Sequence, residues 1–549
     1  MSLLEHNLST LPADLASRIR NGPDDLVSVS DQARDGTPNL GTRVDGQVRM
    51  FHSRYAPLRE AKRLVQAVTA PVVVVAGAGL GYHVAELLGQ GRRVLVFEPS
   101  VTVLRHWLST CNITESVEKG TLVIVTQTER IVYALTHWHI PMIHGDLEGI
   151  ALRGRVAADE PTFREFWSSL HSAHEQLRAD IGTQARFGLA WMRNLIVNLT
   201  RCALDSVPIA VPESLLRGDV VVVAAGPSLD SHLDWIRDHR SGLQVVSTDT
   251  ALPACLAAGI EPQLVVAIDA SPIGVRHFLH SGQHRPLLAA ELSVPTALIS
   301  RAGAVIPLAS GNPLHQTLVH RGVPLLSAPI DSGNVTVASV LLAQIHGARS
   351  VTLAGADFAY PFRRTYARNT YVERFFDELQ TRIKAADSLN LDFLYARSGL
   401  RALEGNPHTM TTPVLDHYRS MLVHSVRSGN VPVYALEGSG ARLPFERPPA
   451  PRSTPFEGPL ETEEPISPAT VREAFRDLYS SLDRIHGASE IRRAAEGLAS
   501  DAVVGAARSL LPIAYAIGAR EPMNSSDRSL EEARIRLSQR LRSAMDSPR

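Results

Sequence analysis

Two runs of consecutive valines, each closed by a glycine-containing turn, constrain the fold of this 549-residue chain more than any other feature. Residues 71–81 read PVVVVAGAGLG, and residues 218–229 read GDVVVVAAGPSL. Strands that do not alternate apolar and polar residues are buried on both faces, as in parallel sheets covered by helices. Because a helical pattern follows each run, we predict an α/β protein with two Rossmann-like parallel-sheet domains in tandem and a helical C-terminal region.

The chain divides into four predicted parts. Residues 1–205 are predicted to form an N-terminal Rossmann-like domain with a helical connector, and residues 206–443 a central α/β domain. Residues 444–468 are rich in Pro and Glu, which predicts a linker, and residues 469–549 show helical patterns. Further strands are predicted at 93–97, 122–126, 243–248, 264–268, 305–308 and 350–354, and helices at 160–203, 335–346, 499–518 and 527–546.

The composition excludes several classes of protein. The chain has 55 Lys and Arg against 56 Asp and Glu, which disfavours a nucleic-acid binder with a broad basic surface. Its three cysteines (Cys111, Cys202 and Cys255) are far apart and form no CxxC, so we expect a reducing compartment and no thiolate zinc site. No signal-peptide pattern and no apolar run of roughly 20 residues occurs, so the sequence predicts a cytoplasmic protein without a membrane partner.

The turn at residues 226–229 has the composition of a phosphate-binding loop. Gly226 tolerates positive φ angles and the close approach of a ligand to the backbone. Pro227 suits the first position of a helix, where its missing N–H costs nothing. Ser228 adds a hydroxyl beside the free N–H groups at the helix start near Leu229, where the helix dipole favours an anion. The turn is predicted to bind the phosphate of a nucleotide or nucleotide sugar; the alternative is a tight turn without a ligand.

Three predicted strands of the central domain are followed by aspartates. Thr248 and Asp249 end one strand, Asp269 ends the next, and Asp357 follows the last. In an open parallel sheet the ligand lies beyond the carboxyl ends of the strands, so these side chains are expected to meet there and to bind a ribose or a sugar. Each could instead cap its loop. No DxD pair occurs among them, and we predict no metal site.

Two loops add further candidates. Ser332 and Gly333 precede a predicted helix, whose exposed N–H groups suit an anionic or hydroxyl-rich ligand; ordinary helix capping is the alternative. The loop at 355–371 carries several Arg and Tyr residues, among them Tyr366 and Arg368. Arginine suits phosphate or carboxylate recognition, although such a loop is also compatible with a solvated basic surface.

The first glycine turn offers a second candidate site. Gly77, Gly79 and Gly81 are followed by Glu98 at the end of the next predicted strand, which is the arrangement that holds a nucleotide or S-adenosyl ribose. The full GxGxxG pattern is not met. A ligand site and a structural Rossmann-like domain without a ligand therefore both stay open for residues 1–205.

The order of the central motifs resembles that of the Maf (motility-associated factor) proteins. The resemblance covers roughly residues 206–443 and rests on these segments: GPSLD at 226–230, TDTAL at 248–252, GIEPQLVVAID at 259–269, SGNV at 332–335, GADFAYP at 355–361, LDHY at 415–418 and EGSGARL at 437–443. Maf proteins are implicated in flagellin glycosylation, and their central domain is similar to that of bacterial sialyltransferases. Those sialyltransferases carry Asn where this chain has Ala225, and many Maf-like proteins carry His where it has Tyr366.

The resemblance implies a glycosyltransferase that moves a nonulosonic acid of the pseudaminic or legionaminic type from a CMP-activated donor to Ser or Thr of flagellin, in support of motility. It implies a nucleotide-sugar substrate and no metal, and leaves open whether the chain forms homo-oligomers. The resemblance also implies a role for each candidate residue. The donor phosphate would be held by the turn Gly226, Pro227, Ser228 and Leu229, with Ser332 and Gly333 opposite, and the ribose or sugar would face Thr248, Asp249 and Asp269. Asp357 would orient or deprotonate the acceptor hydroxyl, and Tyr366 and Arg368 would face the phosphate or the sugar carboxylate.

Two alternatives come from other functional classes. The GPSL turn and the strand-end aspartates also resemble the archaeal 6-hydroxymethylpterin diphosphokinases, which would imply transfer of pyrophosphate from ATP with Mg²⁺. A third interpretation is a non-catalytic flagellin-binding factor that retains a nucleotide-binding fold.

Overall fold

The computed structural model describes residues 2–204, 215–279, 281–328, 333–427, 429–452, 467–497, 500–520 and 526–546. The chain divides into two units, Met1–Thr183 and Gln184–Arg549, and the division falls within one long helix, Glu160–Leu204. The division into four parts that the sequence predicts, with boundaries after residues 205, 443 and 468, stays a prediction. Of the predicted linker, residues 453–466 lie outside the described residues.

The N-terminal unit contains two sheets. An antiparallel sheet is formed by β1 (Ser28–Gln32), β2 (Pro38–Val44) and β3 (Gln47–Met50). The strands of the parallel sheet are β4 (Val72–Ala76), β5 (Arg93–Phe97), β6 (Leu122–Val125) and β7 (Leu147–Ala151), in the order β6-β5-β4-β7. Its helices are Leu3–Leu8, Ala13–Asn21, Pro57–Gln66, Tyr82–Gly89, Val101–Thr110, Thr114–Glu118, Ile131–Trp138, Pro141–His144 and Arg153–Val156, with a 3₁₀ turn at Thr128–Arg130.

The second unit is built on an eight-stranded parallel sheet with the order β13-β12-β11-β10-β9-β8-β14-β17. In chain order the strands of this unit are β8 (Gly218–Val223), β9 (Leu243–Thr248), β10 (Leu264–Ala267), β11 (Leu287–Glu291), β12 (Ala304–Ala309), β13 (Leu326–Ser327), β14 (Ala348–Ala354), β15 (Arg401–Leu403), β16 (Asn406–Thr411) and β17 (Val433–Ala435). Strands β15 and β16 form a separate antiparallel pair. The second predicted Rossmann-like sheet is thus confirmed, and it is larger than the sequence patterns indicated.

Helices cover this sheet and make up the C-terminal region. The helices are Leu229–Asp238, Leu252–Ala257, Thr296–Ile299, Pro313–His320, Val335–Ile345, Tyr371–Leu379, Ala386–Tyr395, Pro413–Arg427, Pro468–Asp483, Ala488–Ala495, Asp501–Arg508, Leu511–Gly518 and Ser526–Met545, with 3₁₀ turns at Arg240–Gly242, Pro272–Phe278 and Pro361–Arg363. The predicted fold class, with tandem parallel sheets and a helical C-terminal region, is confirmed. Within the described parts of the chain, no helix combines the length and apolar character that crossing a bilayer requires.

The valine run of β8 explains why the strand shows no alternation. Val220 and Val222 point into one hydrophobic core, whereas Val221 and Val223 point into another on the opposite face of the sheet. All four side chains are fully buried. Because burying one such side chain contributes roughly 1.5–3 kcal/mol, a polar residue at any of the four positions would be costly. The run therefore fixes β8 in the middle of a sheet that is covered on both faces.

Candidate functional site

The candidate site lies at the carboxyl edge of the eight-stranded sheet, where the strand order reverses between β8 and β14. Strands β10, β9, β8 and β14 are neighbours, so the loops that follow them lie side by side at this edge. Helix Val335–Ile345 packs against all four strands and leads into β14, which places its N-terminal end at the same edge. The sheet therefore brings together the turn at 226–229 and the three strand-end aspartates.

Asp357 holds the turn at 226–229 in place. Its Oδ2 accepts a hydrogen bond of 2.8 Å from the backbone N–H of Ser228, and its backbone carbonyl accepts one of 2.7 Å from Ala441. A side chain at Gly226 would collide with the Asp357 carboxylate, and one at Gly440 would collide with its backbone. The carboxylate thus joins three segments: the turn, the loop after β14 and the glycine-rich loop at 437–440.

This arrangement changes what the turn offers to an anion. The Ser228 amide, the best-placed donor for a phosphate, is already bonded to Asp357, and the Leu229 amide donates to the carbonyl of Gly226. Burial raises the pKa of Asp357, while its hydrogen bonds from Ser228 lower it. The turn therefore contributes the positive end of the helix Leu229–Asp238 without a free N–H at Ser228. The predicted contacts of these residues with a phosphate stay predictions.

The aspartates that follow β9 and β10 differ in exposure. Asp249 is only 5% exposed, and it accepts hydrogen bonds from the amide (2.7 Å) and hydroxyl (3.1 Å) of Thr250. Burial raises the pKa of the Asp249 carboxyl, and the negative charge of Asp269 adds to this. Asp269 is exposed and accepts a hydrogen bond of 2.8 Å from the Ser271 amide. Thr248 is buried, and its hydroxyl accepts a hydrogen bond of 3.3 Å from the Ala251 amide, so it shapes the loop that carries Asp249.

The loop after β14 brings Tyr366 and Arg368 to the same edge. The Ala367 amide donates a 2.9 Å hydrogen bond to the Ala225 carbonyl, which ties this loop to the turn after β8. Tyr366 packs against the core beneath that turn; burial raises the pKa of its phenol, and the charge of Asp249 raises it further. Arg368 is largely exposed, and its backbone N–H donates to Asp230 at 2.9 Å. A phenol of raised pKa suits a proton donor and not a base near neutral pH.

The loop that precedes helix Val335–Ile345 is described only in part. Ser332 lies outside the described residues, whereas Gly333 is exposed and adopts a φ angle of +62°. The side chain of Asn334 accepts hydrogen bonds from the amides of Thr336 and Val337. Asn334 thus caps the first turn of this helix, and ordinary helix capping is the alternative to a ligand site that the sequence left open.

His277 and Arg397 are site residues that sequence reasoning missed. His277 lies in the 3₁₀ turn after Asp269 and is 7% exposed, and its buried Nδ1 has no hydrogen-bond partner among the residues that the structure describes. It is close enough to Asp249 to lower the pKa of that carboxyl, and its ring stands edge-on to Tyr371 at 6.2 Å between centroids. The positive charge of Arg397 lowers the pKa of Tyr366 against the effect of burial. A histidine eight residues after a strand-end aspartate gives no pattern that a sequence search would recognise.

Side chains of the N-terminal unit itself occupy the space beside the first glycine turn, where a ligand was considered. Glu98, the expected ribose ligand, is fully buried and paired with Arg155 at 2.7 Å, and it also accepts the Ala78 amide at 3.0 Å. His52 Nε2 accepts the Leu80 amide at 2.8 Å, and it lies where a side chain at Gly79 would be. The glycines are thus required for packing within this unit, which favours the structural interpretation of this turn.

Replacing Gly81 by Ala is expected to destabilise the N-terminal unit strongly. Gly81 has a φ angle of +78°, and an added Cβ would overlap the indole of Trp107, which is 1% exposed. The backbone strain alone costs about 1–3 kcal/mol, and the overlap adds to it. Gly91→Ala is the matched control, since Gly91 has a φ angle of +76° and open space around it. Urea unfolding should show the larger loss for Gly81→Ala; equal losses would contradict the packing account.

The comparisons with known proteins fit this architecture. Residues 193–362, which include β8 to β14, match the family model described as 6-hydroxymethylpterin diphosphokinase MptE-like. The chain is 30% identical over 158 residues to an uncharacterised protein of Treponema pallidum (strain Nichols), across 27% of this chain and 74% of that protein. This chain belongs to the same family as that treponemal protein. A second uncharacterised protein of the same organism is 27% identical over 242 residues, covering 41% of this chain and 77% of its own length.

A solved structure extends the likeness to nearly the whole chain. It is the structure of the MAf glycosyltransferase from Magnetospirillum magneticum AMB-1, with a TM-score of 0.58 and 13% sequence identity over 99% of this chain and 95% of that protein. At this identity the likeness shows a shared fold. The resemblance to the Maf proteins that the motifs indicated is therefore confirmed at the level of the fold.

Proposed function

We propose that the protein is a glycosyltransferase that moves a nonulosonic acid of the pseudaminic or legionaminic type from a CMP-activated donor to Ser or Thr of flagellin. The observation that carries the proposal is the shared fold with the MAf glycosyltransferase over 99% of the chain. The convergence of Asp249, Asp269 and Tyr366 at the carboxyl edge of the sheet supports it, since ligands of such sheets bind at this edge. The motility role and a cytoplasmic location belong to the same proposal.

The proposed reaction needs a base, a proton donor and neutralising charge. The acceptor hydroxyl oxygen bonds to the anomeric carbon of the sugar while the bond from that carbon to the phosphate oxygen breaks and CMP leaves. His277 is proposed to take the hydroxyl proton, with Asp249 stabilising the imidazolium that forms. Tyr366, kept protonated by burial, is proposed to donate to the leaving phosphate, and Arg397 and Arg368 to balance its charge.

The remaining predicted residues take positioning and binding roles in this proposal. Asp269 is exposed at the edge and is proposed to bind hydroxyl groups of the ribose or sugar. Asp357, 4% exposed and bonded to the Ser228 amide, is proposed to set the shape of the turn, in place of the acceptor-side role that the resemblance implies. The helix that begins at Leu229 directs its positive end towards the donor phosphate.

A second candidate function is favoured by the match of residues 193–362 to the MptE-like model. It is the ATP- and Mg²⁺-dependent transfer of pyrophosphate to a hydroxymethylpterin. Among the described residues, no group of three His, Cys, Asp or Glu side chains is arranged to hold a metal ion. In that reaction, however, Mg²⁺ could be held chiefly by the phosphates of ATP.

The two candidates differ in their response to chelation. With flagellin present as the acceptor, release of CMP from CMP-pseudaminic or CMP-legionaminic acid by the full-length protein is expected to proceed unchanged in EDTA, because the proposed charge balance comes from side chains. A pyrophosphoryl transfer from ATP would stop in EDTA. The measurement is chromatographic quantification of CMP and AMP with and without the chelator. AMP formation with hydroxymethylpterin, and no CMP release, would establish the second candidate; flagellin binding without either product would favour a non-catalytic factor.

A further inference from the structure

A groove in the second unit, remote in sequence from the carboxyl-edge loops, is lined by four arginines. It has a volume of about 830 Å³ and lies between residues 189–193 of the long helix and the C-terminal helix Ser526–Met545. We call it the arginine groove, after Arg193, Arg520, Arg536 and Arg540, which line it. Its volume lies in the range of ligand-binding clefts.

The arginine groove carries an excess of positive charge. Glu532 is the acidic residue in its lining, and this carboxylate is already paired with Arg536. Arg536 and Arg540 are one helical turn apart, where like charges destabilise a helix. Within the described part of the chain, no ion pair is formed by Arg520 or Arg540. Since the groove does not neutralise its own charge, an anionic occupant would stabilise it.

The lining of the arginine groove also includes apolar side chains. Leu189, Ala190 and Met192 lie on the long helix, and Ile535 on the C-terminal helix is 42% exposed. A free phosphate would leave Ile535 and the partly exposed Leu189 and Ala190 in contact with water. A helix with an apolar face would cover them, as amphipathic helices do when they occupy a groove between two helices.

We propose that the arginine groove docks a helical segment of another polypeptide that has an apolar face flanked by Glu or Asp. The apolar face would cover Ile535 and Leu189, and the acidic flanks would face Arg536 and Arg540. Carboxylates four residues apart on the incoming helix match guanidinium groups that are spaced by one turn, about 5.4 Å. Such docking weakens as salt rises, because the guanidinium groups are exposed.

The test uses the full-length protein and a fluorescein-labelled helical peptide of about 18 residues, roughly five turns. One face of the peptide carries Leu and its flanks carry Glu; a matched peptide carries Gln in place of Glu. Fluorescence anisotropy should show that the Glu peptide binds, and that Arg520→Glu and Arg540→Glu each weaken binding by about tenfold or more. Arg476→Glu, an exposed position on helix Pro468–Asp483 outside the groove, should leave the affinity unchanged.

Several results would overturn the proposal. They are equal affinities for the Glu and Gln peptides, equal affinities for wild-type protein and Arg540→Glu, or no binding of the Glu peptide at all. Binding of phosphatidylglycerol vesicles that depends on Arg540 and excludes the peptide would assign the arginine groove to a lipid surface. Self-association that Arg540→Glu abolishes, seen by sedimentation, would assign it to a second copy of the chain.

Discussion

Replacing His277 by Gln is expected to lower kcat for sugar transfer by about 10²–10⁴-fold, with a much smaller change in KM for the donor. Removing a general base costs this much because the proton of the acceptor hydroxyl then has no positioned acceptor. The expectation rests on the burial of His277, on its proximity to Asp249, and on its Nδ1, which no described residue hydrogen-bonds. Steady-state kinetics of the variant and of the unchanged protein, with the donor and the acceptor varied in turn, provide the measurement.

Two further variants separate chemistry from folding. Asp249→Asn removes the charge that faces the imidazole and should lower kcat with little effect on the free energy of unfolding, since Asn still accepts the Thr250 hydrogen bonds. His408→Gln changes an exposed histidine on β16 and should leave both constants unchanged. If His277→Gln keeps full turnover while it remains folded, His277 is not the base.

Acidification from pH 6.5 to 4 is expected to destabilise the protein steeply. Burial lowers the pKa of His83, His144 and His315 to about 3 and that of His139 to about 4. In the unfolded chain these groups take up protons near pH 6.5, so the unfolded state binds more protons below that pH and is favoured. Each histidine then removes up to about 1.4 kcal/mol of unfolding free energy per pH unit, until its folded pKa is reached.

Carboxyls whose pKa is raised by burial act in the opposite direction, and Glu373 shows the effect most clearly. Burial raises the pKa of Glu373 to about 7, so its contribution to stability is present at low pH and is lost as pH rises through 7. Burial also raises the pKa of Asp249 and Asp357, which act in the same direction as Glu373, and together these carboxyls offset part of the effect of the four histidines. Urea unfolding at intervals of pH gives the slope, and His83→Gln should reduce it by about one proton, whereas His408→Gln should not. Stability that is constant between pH 6.5 and 4 would contradict the neutral state of the buried histidines.

The sequence predicted the parallel sheets because valine runs report burial on both faces, which is a local property. Strand β5 was predicted with its observed bounds, Arg93–Phe97, and β9 likewise, Leu243–Thr248. Strands β11, β13 and β17 of the eight-stranded sheet were not predicted. Strand β13 has only two residues and β17 only three, and β11 ends in the charged residue Glu291. Short edge strands depend on their neighbours in space, and a single sequence does not show those neighbours.

The candidate site was predicted in its location but not in its internal contacts. The positions of Asp249, Asp269 and Asp357 follow from a general property of parallel sheets, namely that the strand ends share one edge. The hydrogen bond from the Ser228 amide to Asp357 joins residues 129 positions apart, and no local pattern encodes it. For the same reason, the sequence did not show that Glu98 is committed to Arg155.

The mass of flagellin after incubation with the full-length protein and a CMP-activated nonulosonic acid tests the central claim most directly. The proposed function predicts that Ser- or Thr-linked nonulosonate residues add to flagellin, that CMP is released in equal amount, and that Asp269→Ala reduces both. Asp238→Ala, an exposed carboxylate at the end of helix Leu229–Asp238, serves as the control and should behave as the unchanged protein. An unchanged flagellin mass with both CMP-pseudaminic and CMP-legionaminic acid, from protein shown to be folded, would contradict the claim.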